Sequence, residues 1–156
     1  MQIRRAVSSD IPDLLRLLGQ VLTVHHEGRP DLFKSNATKY TAEELDVLLS
    51  DEQRPIFAAT DDMGRLLGYA FCIFQQHKDD NILTDIRTLY VDDICVDEAC
   101  RRQGVATALY KHVETFAREN GCYNLTLNVW AQNPGACAFY TRCGLTPQKT
   151  TLEMIL

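Results

Sequence analysis

The stretch that most restricts the fold runs from Pro55 to Val96. It holds three apolar runs, "PIFAAT", "RLLGYAFCIFQQ" and "TLYVDDICV", divided by the turn "DDMG" and by a polar turn around Lys78 to Asn81. Apolar runs of strand length, punctuated by Gly, Asp and Asn, are the mark of consecutive hairpins. The spacing therefore predicts three successive antiparallel strands at the centre of a sheet, and the rest of the chain must dress that sheet. "MQIRRA" alternates as a strand does, and "SSDIPDLLRLLGQVL" supplies a Ser or Asp cap, an early Pro12 and leucines at helical spacing. "VHHEGRPDLFKSNATK", Val24 to Lys39, has no period and contains Gly28 and Pro30, so it is predicted as a loop. Thr41 with Glu44 three residues on makes a capping box for a helix ending near Ser50. Beyond the third strand come a helix, apolar at Val105, Leu109, Val113 and Phe116 and stopped by Gly121, then "NLTLNV" as strand, "PGACAFYTRC" as a short helix and "TTLEMIL" as a terminal strand. The predicted order is β-α-α-β-β-β-α-β-α-β, an α/β (α+β) chain.

At 156 residues, 46% hydrophobic and 24% charged, the chain has the size and composition of one domain, residues 1–156, around one core. With 16 Lys plus Arg against 21 Asp plus Glu the net charge is −5, which argues against broad binding of nucleic acid or an anionic membrane but leaves room for a local anion site. No apolar run approaches the roughly 20 residues that cross a bilayer, and "MQIRRAVSSD" lacks the apolar centre of a secretory signal. A cytoplasmic location is the expectation. Cys72, Cys95, Cys100, Cys122, Cys137 and Cys143 are scattered through apolar segments, without a C-x-x-C or a His pair at zinc spacing. Neither a metal site nor a disulfide framework is indicated, and these cysteines read as mostly core.

One helix opens with the wrong charge. A helix N-terminus carries unpaired N–H groups and a partial positive charge, so Asp, Glu, Ser or Thr normally sits there. "RRQGVATALY" instead brings Arg101, Arg102, Gln103 and Gly104 to the start of its helix. Such a start, following a strand directly, suits a phosphate, with the ligand as the missing cap and the arginines supplied with counter-charge. The alternative is a pair of solvated arginines on a loop. Neither G-x-x-x-x-G-K-S/T nor G-x-G-x-x-G is present.

Arg101-Arg102-Gln103-Gly104-Val105-Ala106 matches the Q/R-x-x-G-x-G/A signature of the GCN5-related N-acetyltransferases, the GNAT superfamily. It follows the strand "LYVDDICV" and precedes "NVWAQNPGACAFYTRCGL", which is similar to that family's N-x-x-A-x-x-F-Y-x-x-x-G-F block at Asn133, Ala136, Phe139, Tyr140, Gly144 and Leu145, the last replacing the usual Phe. The N-terminal "IRRAVSSDIPDLLRLL" also resembles GNAT openings, so the resemblance spans nearly the whole chain. It implies the GNAT acyl-CoA N-acyltransferase fold, a mixed central sheet flanked by helices, with acetyl-CoA as co-substrate, no metal, and a homodimer formed through the terminal strands. It also implies that Arg101 to Ala106 grip the pyrophosphate and that Ile94, Cys95 and Val96 pair their main chain with the pantetheine arm.

Acetyl transfer to an amine needs a held thioester, donors for the oxyanion at its carbonyl, a base for the amine and a proton for the thiolate. Tyr140 matches the family's tyrosine that protonates the thiolate. Asn133 is a helix cap, a hydrogen-bond donor to CoA, or both. Asp92 and Asp93 are the candidate bases. In an unbroken pleat they point to opposite faces, and a bulge changes which one faces the cleft. Asp92 is preferred weakly, with Tyr90, Glu98 and a water chain as competitors. His25, His26, Glu27 and Arg29 occupy a region that often walls the acceptor site in this family; Arg29 suits a carboxylate and Glu27 an ammonium. Tyr90 is also placed among the residues touching the acceptor. Trp130 is a cleft, core or interface residue. The function implied is transfer of an acetyl group to a primary amine of a small molecule or peptide, in a ternary complex. The alternative is a non-catalytic acyl-CoA-binding sensor.

Overall fold

The computed structural model describes residues 1–156. Its elements are β1 (Gln2–Arg5), α1 (Ile11–Gly28), α2 (Ala42–Leu49), β2 (Ile56–Thr60), β3 (Leu66–Gln76), β4 (Arg87–Val96), α3 (Val105–Glu119), β5 (Asn124–Leu127) and α4 (Pro134–Arg142). Five strands form one sheet in the order β1-β2-β3-β4-β5, with every neighbour antiparallel except β4 and β5, which run parallel. The three apolar runs between Pro55 and Val96 are the middle of that sheet.

Both faces of the middle strands are covered, which is why β2 is buried at every position instead of alternating. On one face Leu14, Leu17 and Leu18 of α1 and Leu45 of α2 pack on Ala58, Tyr69 and Phe71. On the other, Val105, Leu109, Val113 and Ala117 of α3 pack on Ala59, Ala70, Cys72, Leu89 and Val91. Each fully buried leucine contributes about 2 kcal/mol relative to exposure, and cutting Leu17 or Leu109 to Ala costs roughly 2–5 kcal/mol. Gly68 sets the closeness of α3 to the sheet: a Cβ there would stand 2.6 Å from the Cys95 carbonyl oxygen and 3.3 Å from Val105 and Leu109 side-chain carbons.

The capping box forms as predicted, Thr41 Oγ1 accepting from the Glu44 N–H and Glu44 accepting from the Thr41 N–H. Three expectations need correction. First, α1 continues to Gly28, so Val24 to Gly28 are helical and the irregular segment begins at Arg29. Nothing between Gly19 and Gly28 breaks a helix, and polar residues there only turn its outer face to solvent. Second, the residue before α1 is Asp10, but its side chain does not cap the helix; it receives Arg4 at 2.6 Å and the Val7 N–H at 2.9 Å. Third, there is no terminal strand. No residue from Thr146 to Leu156 joins a backbone hydrogen bond, and Leu152, Met154, Ile155 and Leu156 are each at least 80% exposed. The residue types of a strand do not make one without a neighbour to pair with, and β5 is left as the edge of the sheet. All six cysteines are free.

Candidate active site

β4 changes its company halfway along. From Thr88 to Val91 it pairs with β3 on one side and with Asn124 to Leu127 of β5 on the other. β5 then ends, while β4 continues to Val96 against β3 alone. Between Asp92 and Val96 the edge facing away from β3 thus has no strand, and its peptide groups are available to an extended ligand.

At the same point the strand slips by one residue. Asp93 sits opposite Phe71 and Val91 opposite Cys72, so Asp92 is an extra residue, a β-bulge. The slip reverses the side-chain alternation. Leu89 and Val91 belong to the α3 face before it, whereas Ile94 and Val96 face α3 after it and Cys95 joins the α1 face. Asp93 consequently shares the α1 face with Cys95, where an unbroken pleat would have sent it under α3.

On that face Asp93 Oδ2 accepts a hydrogen bond from the Tyr69 hydroxyl at 2.7 Å. Asp92 is held differently, by an ion pair with Lys39 Nζ at 2.8 Å. Burial pushes the Asp93 carboxyl upward, and the Tyr69 hydroxyl and the charges of Lys39 and His25 offset this only in part. Burial alone would lower Lys39, but its bond to Asp92 and the charges of both carboxylates raise it. Burial also raises Tyr140, and the nearby charge of Asp93 adds to the shift. Tyr140 therefore keeps its proton beside a carboxyl that is readily protonated. His25 reaches this group because it ends the inward stripe of α1: Leu14, Leu18, Val21 and His25 recur at intervals of three and four residues. Its ring stacks on Phe33 at 4.9 Å and meets Trp130 edge-on at 6.4 Å.

The loop after β4 is pinned by Asp97, whose buried carboxylate takes Arg16 at 2.8 Å and Arg65 at 3.2 Å and accepts from the Ala99 N–H. α3 then begins without a side-chain cap, from Gly104 at φ +82°. Arg102 is also left-handed, at φ +64°, and Arg101, Arg102 and Gln103 are exposed. Left-handed backbone suits Gly and is costly for a branched side chain. The N–H groups of Val105 and Ala106 head the helix with no side chain to receive them.

The description of the acetyltransferase (GNAT) family matches residues 21–145. The chain belongs to that family. A mutant of the BH1408 protein from Bacillus halodurans superposes with a TM-score of 0.95 at 26% identity, covering 100% of this chain and 99% of that one. An aminoglycoside acetyltransferase from an uncultured soil metagenomic sample, in complex with sisomicin, gives 0.72 at 17% identity over 99% of this chain and 94% of its own, a likeness of fold. Glucosamine 6-phosphate N-acetyltransferase 1 of Oryza sativa subsp. japonica is 29% identical over 68 residues, 44% of this chain and 39% of that protein. The matched stretch thus spans about two fifths of the rice enzyme.

The remaining sequence candidates of this GNAT chain are unevenly gathered. Asn133 caps α4, accepting from the Ala136 N–H at 3.1 Å. Tyr90 lies on the paired half of β4, its hydroxyl accepting from Asn128. Glu98 is exposed in the loop, its N–H given to Gln20. His26 turns away from the stripe, Nδ1 lying 2.7 Å from the Phe33 carbonyl oxygen, and Glu27 is exposed. Arg29 and Trp130 line one recess with His25, Phe33 and Asn133. Tyr69, Lys39 and Phe33 were not singled out in the sequence: each reaches the site by a long-range contact that no local spacing announces. The sequence places His25 with its neighbours in an irregular segment, and the extension of α1 past Leu22 is what gives it a helical position. No group of three or more His, Cys, Asp or Glu side chains could hold a metal ion.

Proposed function

We propose that the chain transfers an acetyl group from acetyl-CoA to a primary amine of a small molecule or peptide. Two features fit the co-substrate. The uncapped start of α3, with Gly104 in a left-handed conformation, suits a diphosphate received by the N–H groups of Gln103 to Ala106, with Arg101 and Arg102 beside it. The free edge of β4 suits the pantetheine arm, held by the main chain of Ile94, Cys95 and Val96. Acetyl-CoA, when bound, supplies a thioester whose acyl carbon takes the amine nitrogen as its carbon–sulfur bond breaks.

The observation that carries the reading is the bulge that turns Asp93 onto the α1 face near Tyr140. Asp93 accepts the proton that the amine must lose; its raised pKa lets it hold that proton at higher pH than an ordinary aspartate. Tyr69 fixes the carboxylate by one oxygen, leaving the other to the amine. Tyr140 remains protonated and donates to the departing sulfur. Asp92, neutralised by Lys39, positions the acceptor wall instead of acting as base. A molecule that only sensed acyl-CoA would have no use for this pairing of base and acid. Copies of the chain pair through the C-terminal segment, whose Leu152, Met154, Ile155 and Leu156 lie bare to solvent and offer apolar surface for an interface.

The test is release of CoA thiol from acetyl-CoA with a panel of small amines and peptides. Turnover that depends on amine and falls with Asp93→Asn supports the reading. A folded protein that binds CoA and turns over none of the panel refutes it.

A further inference from the structure

Arg29 follows His25 by four residues and flanks the C-terminal end of α1, its N–H donating to the His25 carbonyl oxygen. It is the one Arg or Lys that lines the recess formed with His25, Phe33, Trp130 and Asn133, its side chain only 16% exposed. Every terminal nitrogen of its guanidinium is in use. Nε and one terminal nitrogen fork onto Asp31 at 2.9 and 2.7 Å, and the two terminal nitrogens fork onto Glu153 at 2.8 and 2.9 Å.

These two carboxylates are not equivalent. Asp31 is two residues away in sequence and orients the guanidinium as part of its own turn. Glu153 comes from the C-terminal segment, where no residue from Thr146 onward makes a backbone hydrogen bond and the flanking Leu152 and Met154 stand in solvent. Glu153 therefore reaches Arg29 at the edge of the recess, half exposed, as a carboxylate on a tether held there chiefly by this fork. A fork-to-fork Arg–carboxylate pair is geometrically selective, and exchanging one carboxylate for another leaves the charge of the recess unchanged.

We propose that Arg29 is the anion clamp of the acceptor site, that Glu153 fills it as an internal stand-in, and that the acceptor is an amine bearing a carboxylate or phosphate that displaces Glu153. The proposal rests on the acetyl-transfer reading above for the identity of the amine end. His25 and Arg29 are one helical turn apart, roughly 6 Å along the axis, and the His25 ring is near enough for its charge to act on the Asp93 carboxyl. The acceptor is thus gripped at two points, its amine at Asp93 and its acidic group at Arg29.

Trp130 is the only tryptophan and lines the same recess, so its fluorescence reports occupancy without acetyl-CoA or turnover. The full chain is titrated with glutarate and, separately, with inorganic phosphate. A saturable change is expected at about tenfold lower anion concentration in Glu153→Gln than in the unaltered chain, none in Arg29→Met, and an intermediate one in Arg29→Lys, which keeps the charge and loses the fork. Response to glutarate alone assigns a carboxylate, and response to phosphate alone a phosphate. No saturable change with either anion in the unaltered chain or in Glu153→Gln overturns the clamp. In turnover, kcat/KM for β-alanine relative to propylamine should rise about tenfold in Glu153→Gln and vanish as a preference in Arg29→Met. Turnover of both amines without preference overturns the clamp while leaving acetyl transfer standing. Saturable anion binding with no turnover refutes acetyl transfer and keeps the clamp.

Discussion

Up to Ala117 the chain builds two cores, one on each face of the sheet; from Arg118 onward side chains are at most partly buried. The first region contains β1 to β4, α1, α2 and α3, and its helices are anchored by leucines and valines in contact with the sheet. The second contains β5, α4 and the C-terminal segment, with β5 half-buried along its length and α4 presenting no buried residue. Both regions supply the candidate chemistry: Asp93 and Tyr69 come from the first, Tyr140 and Trp130 from the second. The contrast teaches that the proposed base stands on a sheet packed on both faces, whereas the proposed proton donor rides on a helix with no fully buried residue, the kind of element that a ligand would order most.

The largest effect expected concerns the rigid side. Asp93→Asn should lower kcat by about 100-fold or more while leaving CoA affinity in place, as read by steady-state thiol release and calorimetric titration. Because the Asp93 pKa is raised and the base must be ionised, activity should fall as pH drops through a value above that of an ordinary aspartate, near ~3.9. An acid limb at or below that value would break the assignment. Next comes the head of α3, within the first region. Gly104→Val forces a branched side chain into left-handed backbone at the head of α3 and should weaken CoA binding about 100-fold, with Gly104→Ala weakening it less. Tyr140→Phe, on the loose side, should cost about tenfold in kcat with little change in CoA affinity; equal losses in both would mean that Tyr140 packs the site instead of donating a proton.

A smaller effect tests the rigid frame itself. Asp97 ties β4 to α1 and to the β2–β3 hairpin through Arg16 and Arg65, and Asp97→Asn should lower unfolding free energy by about 2 kcal/mol in urea. The opposing bonds outweigh burial and depress the Asp97 pKa in the folded chain, so its contribution is present above ~3.9 and is lost as pH falls through the depressed value. Smallest, and most direct, is amide exchange: acetyl-CoA should slow exchange severalfold in α4 and β5 and leave the β2–β3 amides unchanged. Uniform protection across the sheet would erase the contrast between the regions.

Much of this was legible from the residues because it is local. The three central strands, the capping box at Thr41 and the uncapped start of α3 each depend on spacings within one element, and all three are present. The bulge could be named as the factor that decides between Asp92 and Asp93, but its position depends on the register against Phe71 and Cys72, which belong to another strand. The residues alone favour Asp92 weakly, and the structure pairs it with Lys39, a partner 53 residues away in sequence. Tyr69 reads as one more core aromatic in "LLGYAFCIF", and only the fold shows its hydroxyl turned to Asp93. The terminal strand failed for the converse reason: "TTLEMIL" has the right residues, but pairing is a property of two segments.

The single extra residue at Asp92 has a consequence for how such a molecule can vary. A strand with strict alternation would tie every change near the reacting groups to the residue two places away under α3, so that selection for a new acceptor would disturb hydrophobic packing. By resetting the phase, the slip lets β4 keep its apolar side chains under α3 on both sides of Asp92 while turning the Asp93 carboxyl to the opposite face.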